Sequence, residues 1–164
     1  MKRLAILLVL LAVAVGFWFY THSDTARIKG LFRDIERIAS RESSETVMEG
    51  ALRAQTLGSF VLDKCRFSIP EFAISTVLSR DDFAGSVLAY RSGARVLSVR
   101  FKDLEIESDS GRATVVGILD LSGSDFEGAT AGASEERTFS CVIVEDEDGK
   151  WRFSQVSLNP ERRE

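Results

Sequence analysis

The sequence predicts an α+β domain: a curved, mixed and mostly antiparallel sheet wrapped around N-terminal helices, preceded by one transmembrane helix. Three observations predict it. An unbroken apolar run, Leu4 to Tyr20, opens the chain. Two patterns of three- and four-residue apolar spacing follow it. Roughly the last seventy residues then alternate with the two-residue period of strands and slip phase twice.

The apolar run comes first. Lys2 and Arg3 precede 17 apolar residues. As a helix the run is ~26 Å long at ~1.5 Å per residue. That approaches the ~30 Å hydrocarbon core, and flanking residues reach out to close the gap. Phe17, Trp18, Phe19 and Tyr20 sit where an aromatic belt meets headgroups, and Lys2 and Arg3 stay cytoplasmic. This predicts a single pass through the inner (cytoplasmic) membrane by residues 4–20, with the N-terminus inside and the domain in the periplasm or outside the cell. The alternative is a secreted chain, its signal peptide cut at Ala12-Val13-Ala14 or Ala14-Val15-Gly16. Such a cut leaves the aromatic cluster near the new terminus, which argues for the uncleaved anchor. Either way the domain is exported. Residues 1–23 are thus anchor and linker, 24–158 the domain, and 159–164 a polar tail.

Asp24 is the expected cap of the first domain helix, where Ile28, Leu31, Phe32, Ile35 and Ile38 form one apolar face. A second helical pattern runs from about Glu45 to Leu62, opened by the capping box Thr46-x-x-Glu49. The period changes at Asp63. Cys65, Phe67 and Ile69 alternate with Arg66 and Ser68 as a half-buried strand that Pro70 ends. Ser79-Arg80-Asp81-Asp82 starts a short helix that Gly93 stops.

Strands follow. Leu97, Val99 and Phe101 alternate, then the phase slips at Lys102-Asp103 to Leu104 and Ile106, the mark of a β-bulge. Ser108 to Gly111 is a turn. Arg112 to Leu121 carries apolar residues on both parities. Thr138 to Glu145 and Lys150 to Leu158 form a hairpin across Asp146 to Gly149, and the last strand slips from Trp151 and Phe153 to Val156 and Leu158. Between the strands, Ser122 to Glu136 is a Gly-, Ala- and Ser-rich loop whose one aromatic, Phe126, either rides a flexible tip or serves as a lid.

Composition narrows the function. A net charge of −4 leaves no basic stripe for nucleic acid. The one His, His22, lies beside the apolar run, so no His-paired nucleophile forms in the domain. Cys65 and Cys141, both in strand-like runs, either pair as a disulfide in an oxidising compartment or fill space as buried thiols. There is no Cys/His cluster for zinc, and Asp146-x-Asp148-Gly149 lacks the later ligands of a calcium loop. No metal and no cofactor are expected.

The element order, together with Glu145-Asp146-Glu147-Asp148-Gly149-Lys150-Trp151-Arg152-Phe153-Ser154-Gln155-Val156 as an acidic-Gly-x-Trp-x-apolar closing hairpin, resembles the nuclear transport factor 2-like superfamily from Asp24 to Leu158. That superfamily is the cystatin-like α+β cone that also holds ketosteroid isomerase and the SnoaL-like proteins. The resemblance implies a sheet wrapped on a long helix, leaving a conical cavity open at one end. Its enzymes place an Asp, His or Tyr in the cone; the candidates in this sequence are Asp63, Asp120 and Tyr90. Tyr90, Val116, Ile118, Asp120, Trp151 and Phe153 are the expected cavity residues, Asp120 because it shares parity with Val116 and Ile118. No catalytic residue carries over. The expected function is a membrane-anchored extracytoplasmic binding or scaffold module, a plan shared with the inner-membrane scaffold subunit of type IV secretion systems. The alternative is a small-molecule enzyme or carrier using the cone. The partners expected are an envelope protein, a second copy of this chain across the doubly apolar strand, or a small apolar ligand.

Overall fold

The structure, a computed structural model, describes residues 23–124 and 134–159. The apolar run 4–20, His22, Phe126 and the tail beyond residue 159 lie outside the described residues. Among the described residues no helix is long and apolar enough to cross a membrane.

Helix α1, Asp24–Ala39, is capped by Ser23, whose hydroxyl accepts the Ala26 N–H. The cap therefore falls one residue before the expected Asp24, which instead meets the positive end of the helix dipole in the first turn. Helix α2, Val47–Gly58, opens on the Thr46/Glu49 capping box. It ends earlier than its pattern, because Val61 already belongs to a strand. Gly58 is required there: a Cβ on it would stand 2.9 Å from the Arg80 carbonyl oxygen, where α2 passes the start of the next helix. That helix, α3 (Arg80–Ser92), is capped by a Ser79/Asp82 box and stops at Gly93.

Six strands complete the described chain: β1 Val61–Ile69, β2 Ile74–Leu78, β3 Val96–Asp109, β4 Arg112–Ser124, β5 Ser134–Glu145 and β6 Trp151–Leu158. They form one sheet in the order β2-β1-β6-β5-β4-β3. Only the β1–β6 pairing is parallel, which makes the sheet mixed. Strand β2 was not expected. Residues 74–77 are all exposed, so burial imprints no period on them.

Both phase slips are bulges. The β3–β4 register shifts between Lys102 and Glu105, with Asp103 at φ 51°. On β6, Val142 faces Gln155 while Ile143 faces Phe153, which leaves Ser154 as the extra residue; its hydroxyl donates to the Val142 carbonyl at 3.0 Å. Each bulge bends its strand, and the sheet curls around α1. Phe32 of α1 fills the curl, its ring centroid 4.9 Å from Phe101, 5.7 Å from Phe153 and 5.8 Å from Phe139.

Strand β4 shows how the two faces differ. Ala113, Val115 and Gly117 are buried on the concave face. Val116, Ile118 and Asp120 point to the convex face. Their register neighbours there are Glu105, Lys102 and Arg100 on β3 and Ser140, Thr138 and Glu136 on β5. On β4 the second apolar parity is thus Val116 and Ile118, each flanked by polar register neighbours.

Candidate functional site

Between α1 and the concave sheet lies a cavity of about 290 Å³. Phe32 and Ile35 reach it from α1, Leu57 from α2, Phe67 from β1 and Phe83 from α3. The sheet supplies Phe101, Leu119, Phe139, Cys141, Phe153, Val156 and Leu158. Seven of the chain's 11 Phe line this one space. Phe67 and Phe83 stack across its wall, with centroids 5.1 Å apart and planes 13° from parallel. A second hollow of about 300 Å³ shares Ile35, Leu57 and Phe83 with the first and reaches Val87, Tyr90 and Leu121. Sharing these walls, the two together are the apolar interior, with the buried Arg91 at the edge of the second.

The expected cavity residues divide. Phe153 lines the main cavity. Tyr90, 49% exposed, stands at the rim of the second hollow. Burial, and then the negative charge of Glu135, push its phenol above the usual value, so it stays neutral. Trp151 lies outside the apolar interior. It borders a separate cleft of about 500 Å³ with Arg27, Gly30, Lys150 and Arg152, and its buried Nε1 has no protein acceptor among the described residues.

Val116, Ile118 and Asp120 are corrections, since all three face outward. The inward parity of β4 contains Gly117, which has no side chain to register as apolar and so disguises the buried phase. The space over it is tight: a Cβ would meet Leu104 Cδ2 at 2.9 Å, Phe139 Cε1 at 3.0 Å and the backbone oxygen of Lys102 at 3.0 Å, so a side chain there would force its neighbours to shift. Asp120 accepts from Lys102 Nζ at 2.8 Å and from the Ser134 hydroxyl at 3.0 Å. The Lys102 bond first, then Ser134, hold its carboxyl below the usual range. It is an ionised surface carboxylate and not an acid within the cone. Asp63 is likewise exposed, paired with Arg80 at 3.1 Å.

The cysteines are free, buried thiols. Strand β6 runs between β1 and β5, and Cys141 lies in register with Phe67, not Cys65, so two ladder steps of roughly 4.8 Å keep the Cα atoms at least roughly 9–10 Å apart. A disulfide spans no more than about 7 Å. Burial pushes Cys65 up to about 11. Burial, then the nearby Cys65, push Cys141 up to about 12. Among the described residues Cys141 is the one titratable group lining the main cavity, and it is held neutral. Among the described residues no three His, Cys, Asp or Glu gather as a metal site.

Sequence reasoning missed Arg137. Starting β5 at Thr138 hid the phase. Extended backward, the concave parity reads Glu135, Arg137, Phe139, Cys141, Ile143. Arg137 ion-pairs with Glu135 and, at 3.0 Å, with Glu71 on the 3₁₀ turn Pro70–Phe72. The arrangement can hold a compact apolar molecule beneath one cation. Among the described residues its lining has no side chain that exchanges protons near neutrality.

No family model matches the chain, and no curated protein matches it in sequence. Solved structures do match in fold. A Kribbella flavida protein superposes with a TM-score of 0.67 at 17% identity, covering 83% of this chain and 89% of its own. A nuclear transport factor 2-like protein with a cystatin-like fold from Novosphingobium aromaticivorans gives 0.61 at 13% identity, covering 97% and 88%. A proposed dehydratase of the nuclear transport factor 2-like family from Streptomyces avermitilis gives 0.65 at 12% identity, covering 85% and 97%. The domain therefore has the cystatin-like, nuclear transport factor 2-like fold.

Proposed function

We propose that this domain is a non-catalytic binding module whose cone takes up a compact apolar molecule. The observation that carries this reading is the lining: seven phenylalanines, aliphatic residues and one neutral thiol around about 290 Å³. Pockets of roughly 300 Å³ and more commonly hold small ligands, and a dry apolar cavity of ~150 Å³ already takes a benzene ring. Read as an anchor, the run Leu4 to Tyr20 keeps this pocket at the extracytoplasmic face of a membrane, where apolar molecules concentrate.

Dehydration, the reaction attributed to one structural neighbour, needs one group to remove a proton and another to protonate the leaving oxygen. The described lining offers neither, since Asp120 and Asp63 lie outside the cone. That favours a carrier, sensor or ligand-stabilised scaffold over an enzyme. An environment-sensitive naphthylamine dye should brighten and shift to the blue on binding the parent protein. Leu119→Trp, which fills the cavity, should abolish the change while the thermal melt stays cooperative. A parent protein that leaves the dye's spectrum unchanged refutes the reading.

A further inference from the structure

The mouth of the apolar interior carries a charge that its chemistry does not otherwise call for. On β5, Phe139 lines the cavity, and Arg137 is the next residue outward on the same face. Across the ladder Arg137 stands opposite Leu119, another lining residue. Its side chain is 21% exposed, while Glu136 and Thr138, its neighbours in sequence, point to the convex side. Two carboxylates engage it. Glu135 lies one layer farther out on the same strand. Glu71 reaches in from the turn between β1 and β2 and is 41% exposed.

Holding a guanidinium over a phenylalanine-lined chamber costs hydration, which a ligand's counter-charge would offset. We propose that the ligand is an apolar carboxylic acid, its hydrocarbon body in the chamber and its carboxylate on Arg137 in place of Glu71. This rests on the reading of the cone as a binding pocket. Three considerations select an acid. Arg137 shares the inward face of β5 with Phe139 and stands opposite Leu119, both lining residues, and its planar fork matches a carboxylate with two parallel donors. The exchange replaces one carboxylate by another on Arg137, so the guanidinium keeps two carboxylate partners while Glu71 returns to water. Glu71 is the exchangeable partner, because its exposed side chain returns to water easily and exposed ion pairs hold weakly. A neutral alcohol leaves the Arg137–Glu71 pair intact and gains nothing from it.

The test compares three ligands with one hydrocarbon body: octanoate, octanol and octylamine. Each is titrated calorimetrically into the full-length chain in amphipol, with the amphipol blank subtracted. Octanoate should bind about ten-fold tighter than octanol, the increment of one charge-assisted hydrogen-bonded pair. Arg137→Gln should bring octanoate down to the affinity of octanol and leave octanol unchanged. Glu71→Gln, which removes the competing carboxylate without touching the lining, should tighten octanoate several-fold. If octanol matches octanoate, or octylamine binds tightest, the acid is wrong and the pocket stands. Octanoate binding that Glu71→Gln leaves unchanged or weakens overturns the exchange. If none of the three binds, both the acid and the pocket fall.

Discussion

Trp151 separates two contributions that a single side chain usually merges. Its ring is buried in the core cluster, while its Nε1 finds no protein acceptor among the described residues. Trp151→Ala should cost about 3–5 kcal/mol through the cavity it leaves. Trp151→Phe keeps an aromatic ring and removes a buried orphan donor, which by itself costs about 1–3 kcal/mol. It should fall within about 1 kcal/mol of the parent, read from urea midpoints at equal slope. The thiols give a second residue-level test. Their ordinary value is 9.0, and the fold raises Cys65 to about 11 and Cys141 to about 12. A raised acid favours the folded state while it stays protonated. That contribution is complete below pH 9.0, where the unfolded thiols are also protonated, and is lost as pH rises through the folded values. Stability should hold up to about pH 9 and drop as pH rises from there toward 11 and 12. The Cys65→Ala/Cys141→Ala double variant starts lower and should lose less over that interval. Parallel losses in the two proteins would show that the thiols are not responsible.

At the scale of elements, an ion pair fastens the α1–α2 connection to the end of α3. Arg91 is buried and donates to both oxygens of Glu45, at 2.8 and 2.7 Å, and to the carbonyls of Ile38 at 2.8 Å and Ala39. Arg41 answers from the connection, donating to the Arg91 carbonyl and, at 2.7 Å, to that of Ala94. Removing one partner of a buried pair leaves the other charge uncompensated, at a cost of about 3–5 kcal/mol. Glu45→Gln should pay that in full. Thr46→Ala, the adjacent position, removes only a helix cap and should cost about 1 kcal/mol. Denaturation midpoints that rank the two in the opposite order would show that the capping box, not the pair, holds the connection. In the sequence Glu45 reads as an ordinary acid at a helix start, because its partner is 46 residues away.

For the whole molecule, the tether is the expectation that matters most. The full-length protein should fractionate with membranes and resist high-salt and carbonate extraction, because an apolar run of 17 residues embeds and does not merely adsorb. A soluble chain beginning near Val15 or Phe17 would identify a cleaved signal instead. In the anchored case the binding pocket samples ligands from the bilayer surface, and apolar acids are among the molecules that surface concentrates.

Much of this fold is written locally. The Thr46/Glu49 and Ser79/Asp82 boxes, the stop at Pro70, the bulges at Asp103 and Ser154 and the turn at Gly149 each depend on residues within a few positions of one another, so the sequence by itself determined them. The face each strand buries was decided elsewhere. On β4, where Val115 and Val116 are equally apolar, the choice came from α1 packing on one side and from Leu104 and Phe139 closing over Gly117. That choice sent Asp120 outward to Lys102, and among the described residues the lining holds no acid. The same holds for Cys65 and Cys141, kept apart by the one parallel pairing that puts β6 between their strands, and for Arg137, whose place at the mouth depends on a strand start that no local signal marks. Short-range hydrogen bonding and backbone geometry fix caps, turns and bulges; which side chains enclose a cavity depends on contacts between distant segments, and those exist only once the sheet has curled around its helix.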